Sequence, residues 1–341
     1  MATAEPERGA TPEPNPEPLP EWETAFKEWN SWWEIHNFGF GSVFVILAFF
    51  SLYCLVRLRS LKKLTLGRYF AAVSCLLLVF TTSRALYLLL DPYEGHKYLA
   101  LPVVVVRVIF ALGYPCLTSV FSLINFAFVE VNNLKGILKK LQNIKFLSVV
   151  IVGHFLLVLI IYLIVTFSPP LANLFIICQS ILILWWLVLV ICFLYCAALV
   201  FWNQKLQTKY INRGSKTYEL SDVVKTGKPS RNNPESKNTE NTKKSKGARK
   251  IVWISCAVAI AGLISGVLEF YSLFGVYKLY SLDEKFVKPW PWWSYQTASR
   301  AIEICLCCIV AYIVYPTLKG RRNDATNNTN ANTKTTNETR K

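Results

Sequence analysis

Five charged side chains stand where charge is costly. Arg84, Arg107, Glu269, Arg300 and Glu303 fall inside stretches that are otherwise apolar, and a charge at bilayer depth costs roughly 3 kcal/mol or more unless it is paired or wetted. Two chemistries answer that cost. The charges can pair across helices and fix their packing, or they can line a wet pocket that recognises an anionic or carboxylate-bearing group. Arg300 and Glu303, three residues apart, can pair along one helix. Three arginines against two glutamates leave one positive charge over, which is what a pocket for an anion would need.

The remaining polar groups extend this pattern. At 100° per residue Arg107, Tyr114, Thr118, Ser122 and Asn125 fall within about 80° of one another, a polar stripe that must face other helices or water. Pro115 removes a backbone donor in the middle of that segment, so a kink is expected there, with Thr118 or Ser119 satisfying the freed backbone group. Gln296 and Cys307 share a face with Arg300 and Glu303. Gly262 and Gly266 make a close-packing signature, with Glu269 on the same side. His154, alone in its apolar segment, reads as a hydrogen-bonded packing residue more readily than as a proton relay. All ten cysteines lie in apolar stretches. Cys305, Cys307 and Cys308 have no histidine or acid at zinc-ligand spacing, so no metal site is expected. With three histidines, no His-Glu-x-x-His, no Gly-x-Ser-x-Gly and no phosphate-binding glycine loop, the chain reads as a non-enzyme without cofactor.

The elements that position these groups are long and apolar. The chain has 341 residues, 53% of them hydrophobic, grouped into seven blocks at 39–56, 69–90, 103–129, 146–167, 171–202, 251–280 and 292–315. Each is long enough to cross a bilayer, which takes about 20 residues. The fold class is therefore all-α, a seven-helix polytopic membrane bundle. The net charge of +16 resides mostly in the loops and the C-terminal tail, which excludes nucleic acid as the natural partner. Arg57, Arg59, Lys62, Lys63 and Arg68 follow the first block. Lys135, Lys139, Lys140 and Lys145 follow the third, and thirteen Lys or Arg against four acids fill 203–250 after the fifth. The intervening loops are short and nearly neutral, which places the N-terminus outside and the C-terminus inside. In that orientation all five intramembrane charges belong to the outer half.

The flanking segments divide into an acidic, proline-rich tail (1–20), an aromatic segment expected at the membrane surface (21–38), helices 1 to 5 (39–202), a basic cytoplasmic loop without regular structure (203–250), helices 6 and 7 (251–315) and an unstructured cytoplasmic tail (316–341). The tail from residue 1 has no basic start and no apolar core, so it does not read as a cleaved leader. The lipid bilayer is the first partner. A cytoplasmic protein or anionic lipid at 203–250 is the second. The location is an integral membrane one, plasma membrane or endomembrane.

Rhodopsin-class receptor signatures are missing: the third block ends Phe128-Val129-Glu130-Val131-Asn132, and the seventh ends Tyr312-Ile313-Val314-Tyr315-Pro316. Three other motifs carry a resemblance. They are Trp33-Glu34-Ile35-His36-Asn37-Phe38-Gly39-Phe40-Gly41, Arg84-Ala85-Leu86-Tyr87-Leu88-Leu89-Leu90-Asp91, and Pro115-Cys116-Leu117-Thr118-Ser119 with Phe121 and Leu123. Over residues 29 to 130 the chain resembles the transmembrane region of the proline-rich transmembrane protein 3 and 4 family, and the likeness fades afterwards. In that family the helices follow a long proline-rich ectodomain, for which only the stretch from Pro6 to Pro20 stands here. The resemblance implies architecture and supplies no catalytic residues. The function expected is that of a non-enzymatic membrane protein of receptor-like or scaffolding type. The alternative is a transporter or channel for a small anionic solute that uses the same charges. A wet path from the charges past Asn125 would favour transport, and a group sealed below Thr118 would favour a receptor or scaffold.

Overall fold

The computed structural model describes residues 19–59, 65–95, 99, 101–131, 144–168, 173–226, 234–276 and 286–338. The acidic tail up to residue 18 and the loop cations Lys62, Lys63, Lys135, Lys139 and Lys140 lie outside them. The elements are α1 (Trp22–Trp29), α2 (Ser31–Arg59), α3 (Thr65–Leu89), a 3-10 turn (Pro92–Glu94), α4 (Val103–Val131), α5 (Ile144–Phe167), α6 (Asn173–Thr226), α7 (Pro234–Tyr271), a π turn (Ser272–Val276) and α8 (Pro289–Glu338). Among the described residues, α2 to α8 each contain a stretch long and apolar enough to cross a membrane. Proline sets several of the boundaries. Pro234 and Pro289 open α7 and α8 with φ already helical and no orphaned donor, and α3 stops before Asp91-Pro92.

The helices close into a bundle in which α2 packs on α3 and α8, α3 on α4, and α7 on α6 and α8, while α4 touches α3, α5 and α6. α4 is the most enclosed of the spans, with 61% of its apolar window buried against 22% for α5. That fits the composition. α4 carries the polar stripe, whereas α5 is almost wholly aliphatic and exposes Val149, Val152, Leu156 and Ile160. Gly262 lets α7 close on α6, because a Cβ there would come within 2.9 Å of the Val190 side chain. Gly266 faces open space, so only the first glycine of the pair serves close packing.

Three stretches differ from the reading of their composition. Polar residues 203–226 and 234–250 are helical, continuing α6 and leading into α7, and α8 runs on through 316–338. A helix already nucleated in an apolar span gains one hydrogen bond for each residue it adds, so weak formers can extend it. The aromatic segment at 21–38 is divided as well. It forms α1 and the first turns of α2, so the first span starts at Ser31 rather than at 39.

α1 folds back onto the bundle. Asn30, at φ 44°, makes the corner, a conformation Asn tolerates better than most residues. The Val287 amide donates to the Leu19 carbonyl at 3.3 Å and ties the segment before α1 to the segment before α8. Trp29 stacks on both Trp33 and Trp292, at 5.3 and 5.6 Å between ring centroids, and Tyr93 meets Trp292 edge-on at 4.9 Å. Trp29, Trp33 and Trp292 are fully buried. The tryptophans of this end, expected at a membrane surface, are therefore mostly core. Trp32 and Trp290 remain exposed.

Candidate functional site

The charged residues converge at the tryptophan end of the bundle. Arg84, from the last turns of α3, is completely buried. Its Nε donates to Glu303 Oε1 on α8 at 3.1 Å, and its Nη1 donates to the Phe110 carbonyl on α4 at 3.0 Å. Nη2 also lies 3.0 Å from the same carboxylate oxygen, but it is badly aligned and makes no hydrogen bond. The Nε contact is the directional bond, and Nη2 adds Coulombic support. The other carboxylate oxygen, Oε2, accepts from Arg300 Nη1 at 2.7 Å. Glu303 is thus divided between two guanidinium groups, one from its own helix and one from α3.

Aromatic rings and one glycine shape the space around Arg84. Its guanidinium carbon lies 4.9 Å from the Phe110 ring centroid and 5.4 Å from those of Phe80 and Tyr114, within cation–π range. Gly113 is where the guanidinium meets α4, and a Cβ at that position would overlap it. Pro115, inside α4, leaves the Ala111 carbonyl without its usual ladder donor. The Thr118 hydroxyl does not serve that carbonyl; it donates to those of Tyr114 and Pro115, at 3.1 and 3.3 Å. The Ser119 hydroxyl has no partner among the described residues.

Glu269 on α7 lines the same space without touching the two arginines in any contact of hydrogen-bond length among those described. It accepts from the Tyr295 hydroxyl at 3.3 Å. Between Glu269, Arg84, Glu303, Ser265, Ser299 and Tyr114 lies a cavity of about 40 Å³, whose far wall includes Leu117 and Trp186. That is room for three or four waters, at roughly 10–15 Å³ each.

Arg107 stands apart from this group. It makes a two-point pair with Glu94 of the 3-10 turn, Nε to Oε1 at 2.9 Å and Nη2 to Oε2 at 3.1 Å. The surplus positive charge expected from three arginines and two glutamates is therefore cancelled, because Glu94 supplies the third carboxylate. Glu94 escaped the reading because it lies in a loop. It could have been found from the hairpin, since a residue just past α3 returns to the depth of the first turns of α4. The turn that presents it is unusual. Tyr93 and Glu94 both have φ 58°, an uncommon conformation for side chains of that bulk.

What holds Tyr93 there is His36, a second residue the charge pattern passed over. The buried His36 ring bonds the Tyr93 hydroxyl through Nε2 and the Thr297 hydroxyl through Nδ1, each at 2.9 Å. It joins α2, the turn and α8. The available signal was a His-Asn pair heading an apolar run.

The polar stripe of α4 spreads over several neighbours. Tyr114 attends Arg84, Thr118 lies 3.2 Å from His154 Nδ1 on α5, Ser122 bonds back to the Thr118 carbonyl, and Asn125 accepts from the Cys196 thiol on α6 at 3.1 Å. On α4 between Leu117 and Asn125, Val120, Phe121 and Ile124 are buried, as are Thr118, Ser119 and Ser122. Among the described residues, no group of three or more His, Cys, Asp or Glu could hold a metal.

Compared with family models, residues 6–333 match the proline-rich transmembrane protein 3 domain. The match runs well past residue 130, where the likeness of the motifs fades. Neither the curated proteins nor the solved structures yield a match.

Proposed function

The chain belongs to the proline-rich transmembrane protein 3 family, and on that premise we propose that it is a non-enzymatic multi-pass membrane protein of receptor-like or scaffolding type. Its buried Arg/Glu group acts as a lock between helices and does not serve as a substrate site. The tryptophan end faces outside and the basic end the cytoplasm, as the distribution of Lys and Arg over the loops supports.

The observation that carries this reading is the saturation of Glu303. Both carboxylate oxygens are taken by arginines of the protein itself, beside a cavity too small for any solute larger than a few waters. A carrier for an anion needs a cation left available and a path past it. Here Arg107 is occupied by Glu94.

The test is thiol accessibility. Single cysteines replace Arg84, Arg107 or Arg300 in a background lacking the ten native cysteines, and are exposed to a charged, membrane-impermeant reagent. No labelling at 84 and 300 in folded protein is expected. Fast labelling at both would mean a wet, open pocket and would return the anion transporter as the better account.

A further inference from the structure

At the end of the bundle opposite the tryptophans, α7 and α8 leave a cleft of about 410 Å³ lined by Arg249, Lys250, Trp253, Ile254 and Tyr312. We propose that this cleft is a binding site for one anionic glycerophospholipid of the surrounding membrane.

Position is the first argument. Arg249 is the first residue of the sixth apolar span, and Tyr312 lies one turn short of the end of the seventh at Tyr315. The two cations therefore sit at the boundary between headgroups and hydrocarbon, and Trp253 and Ile254 follow about 6 Å deeper on the same helix. A phospholipid has the same layering: phosphate outermost, then the glycerol ester region, then the acyl chains. Arg249 and Lys250 would donate to the phosphate oxygens. Trp253 and Tyr312 would flank the ester region, where amphipathic rings are favoured, and Ile254 would meet the chain.

Charge is the second. Arg249 and Lys250 are exposed, neither is in an ion pair among the described residues, and no acid lines the cleft. The buried arginines of the spans, Arg84, Arg107 and Arg300, each have a glutamate against them, whereas these two cations are open beside the cleft. Trp253 is 72% exposed and Tyr312 55%, which leaves the mouth clear towards lipid. From the preceding reading the proposal takes only the orientation, which puts this end in the leaflet where anionic lipids concentrate.

The experiment uses the full-length protein in phosphatidylcholine nanodiscs doped with photoreactive phosphatidylserine, with cross-links mapped by mass spectrometry. Labels are expected on 249–254 and around 312, and to be displaced by unlabelled phosphatidylserine but not by phosphatidylcholine. Removing charge should weaken labelling about fivefold per cation, roughly 25-fold in the Arg249→Gln/Lys250→Gln double variant. The swap Arg249→Lys/Lys250→Arg should retain it. Equal displacement by phosphatidylcholine in the unaltered protein would overturn the proposal without relying on any variant to fold. So would labelling that the double variant leaves unchanged, or displacement by soluble glycerophosphoserine as effective as by the lipid, which would indicate a site for free phosphate. None of these changes touches Arg84, Arg300 or Glu303, so failure here leaves the lock intact.

Discussion

The two halves of the bundle are held together by different means. Towards the tryptophan end the contacts between helices are polar and directional: Glu303 between Arg84 and Arg300, Arg107 on Glu94, and His36 bonded to Tyr93 and Thr297. Towards the basic end they are apolar. Phe121, Phe128 and Phe193 meet in edge-on contacts, Val129, Cys196 and Val200 pack together, and Asn125 with Cys196 makes a side-chain hydrogen bond between helices. Within a bilayer, apolar surface gives helices little reason to choose each other over lipid. The polar half therefore sets which helices are neighbours and at what height, and the apolar half fills space around that choice.

Substitutions should separate the two halves by size of effect. The largest is expected from Glu303→Gln, which strands two buried arginines and should cost about 3–5 kcal/mol, read as a lowered melting temperature in detergent. Gly113→Val forces a side chain into the space of the Arg84 guanidinium and should cost about 3 kcal/mol, the upper range for overpacking. Because Arg84 transmits that cost, it should largely vanish in an Arg84→Ala background. Glu94→Gln weakens the pair on Arg107 and should cost about 2 kcal/mol, the scale of a hydrogen bond to a charged group; proteolysis of the 3-10 turn should report its loosening. In the apolar half Asn125→Ala should cost only about 0.6 kcal/mol, the average for a hydrogen bond between membrane helices. A larger loss from Asn125 than from Glu94 would dissolve the distinction.

Much of this architecture was legible in the sequence, because a membrane span announces itself by length and hydropathy alone. The seven spans could be read that way, while the polar stripe of α4 and the placing of Arg300 beside Glu303 were expectations from helical periodicity. Contacts that depend on the return path of the chain were not legible. Glu94 lies just outside the second apolar block, and only the hairpin brings it to Arg107. The burial of Trp29 and Trp33 follows from one sharp corner at Asn30, and composition cannot tell a tryptophan folded into a core from one at a membrane surface. The extension of α6 beyond 202 was missed for another reason: residue preferences describe isolated segments, and here the helix was already started.

The most direct test of the lock is a double-mutant cycle on Arg84 and Glu303, with Arg84→Met and Glu303→Gln alone and together, followed by thermal unfolding in detergent. If Glu303 is held between the two arginines as described, the double variant should be less destabilised than the sum of the singles by at least about 1 kcal/mol, the scale for residues in one ion-pair network. Effects that add would contradict the account, because Arg84 and Glu303 would then act independently and the charges would need another purpose.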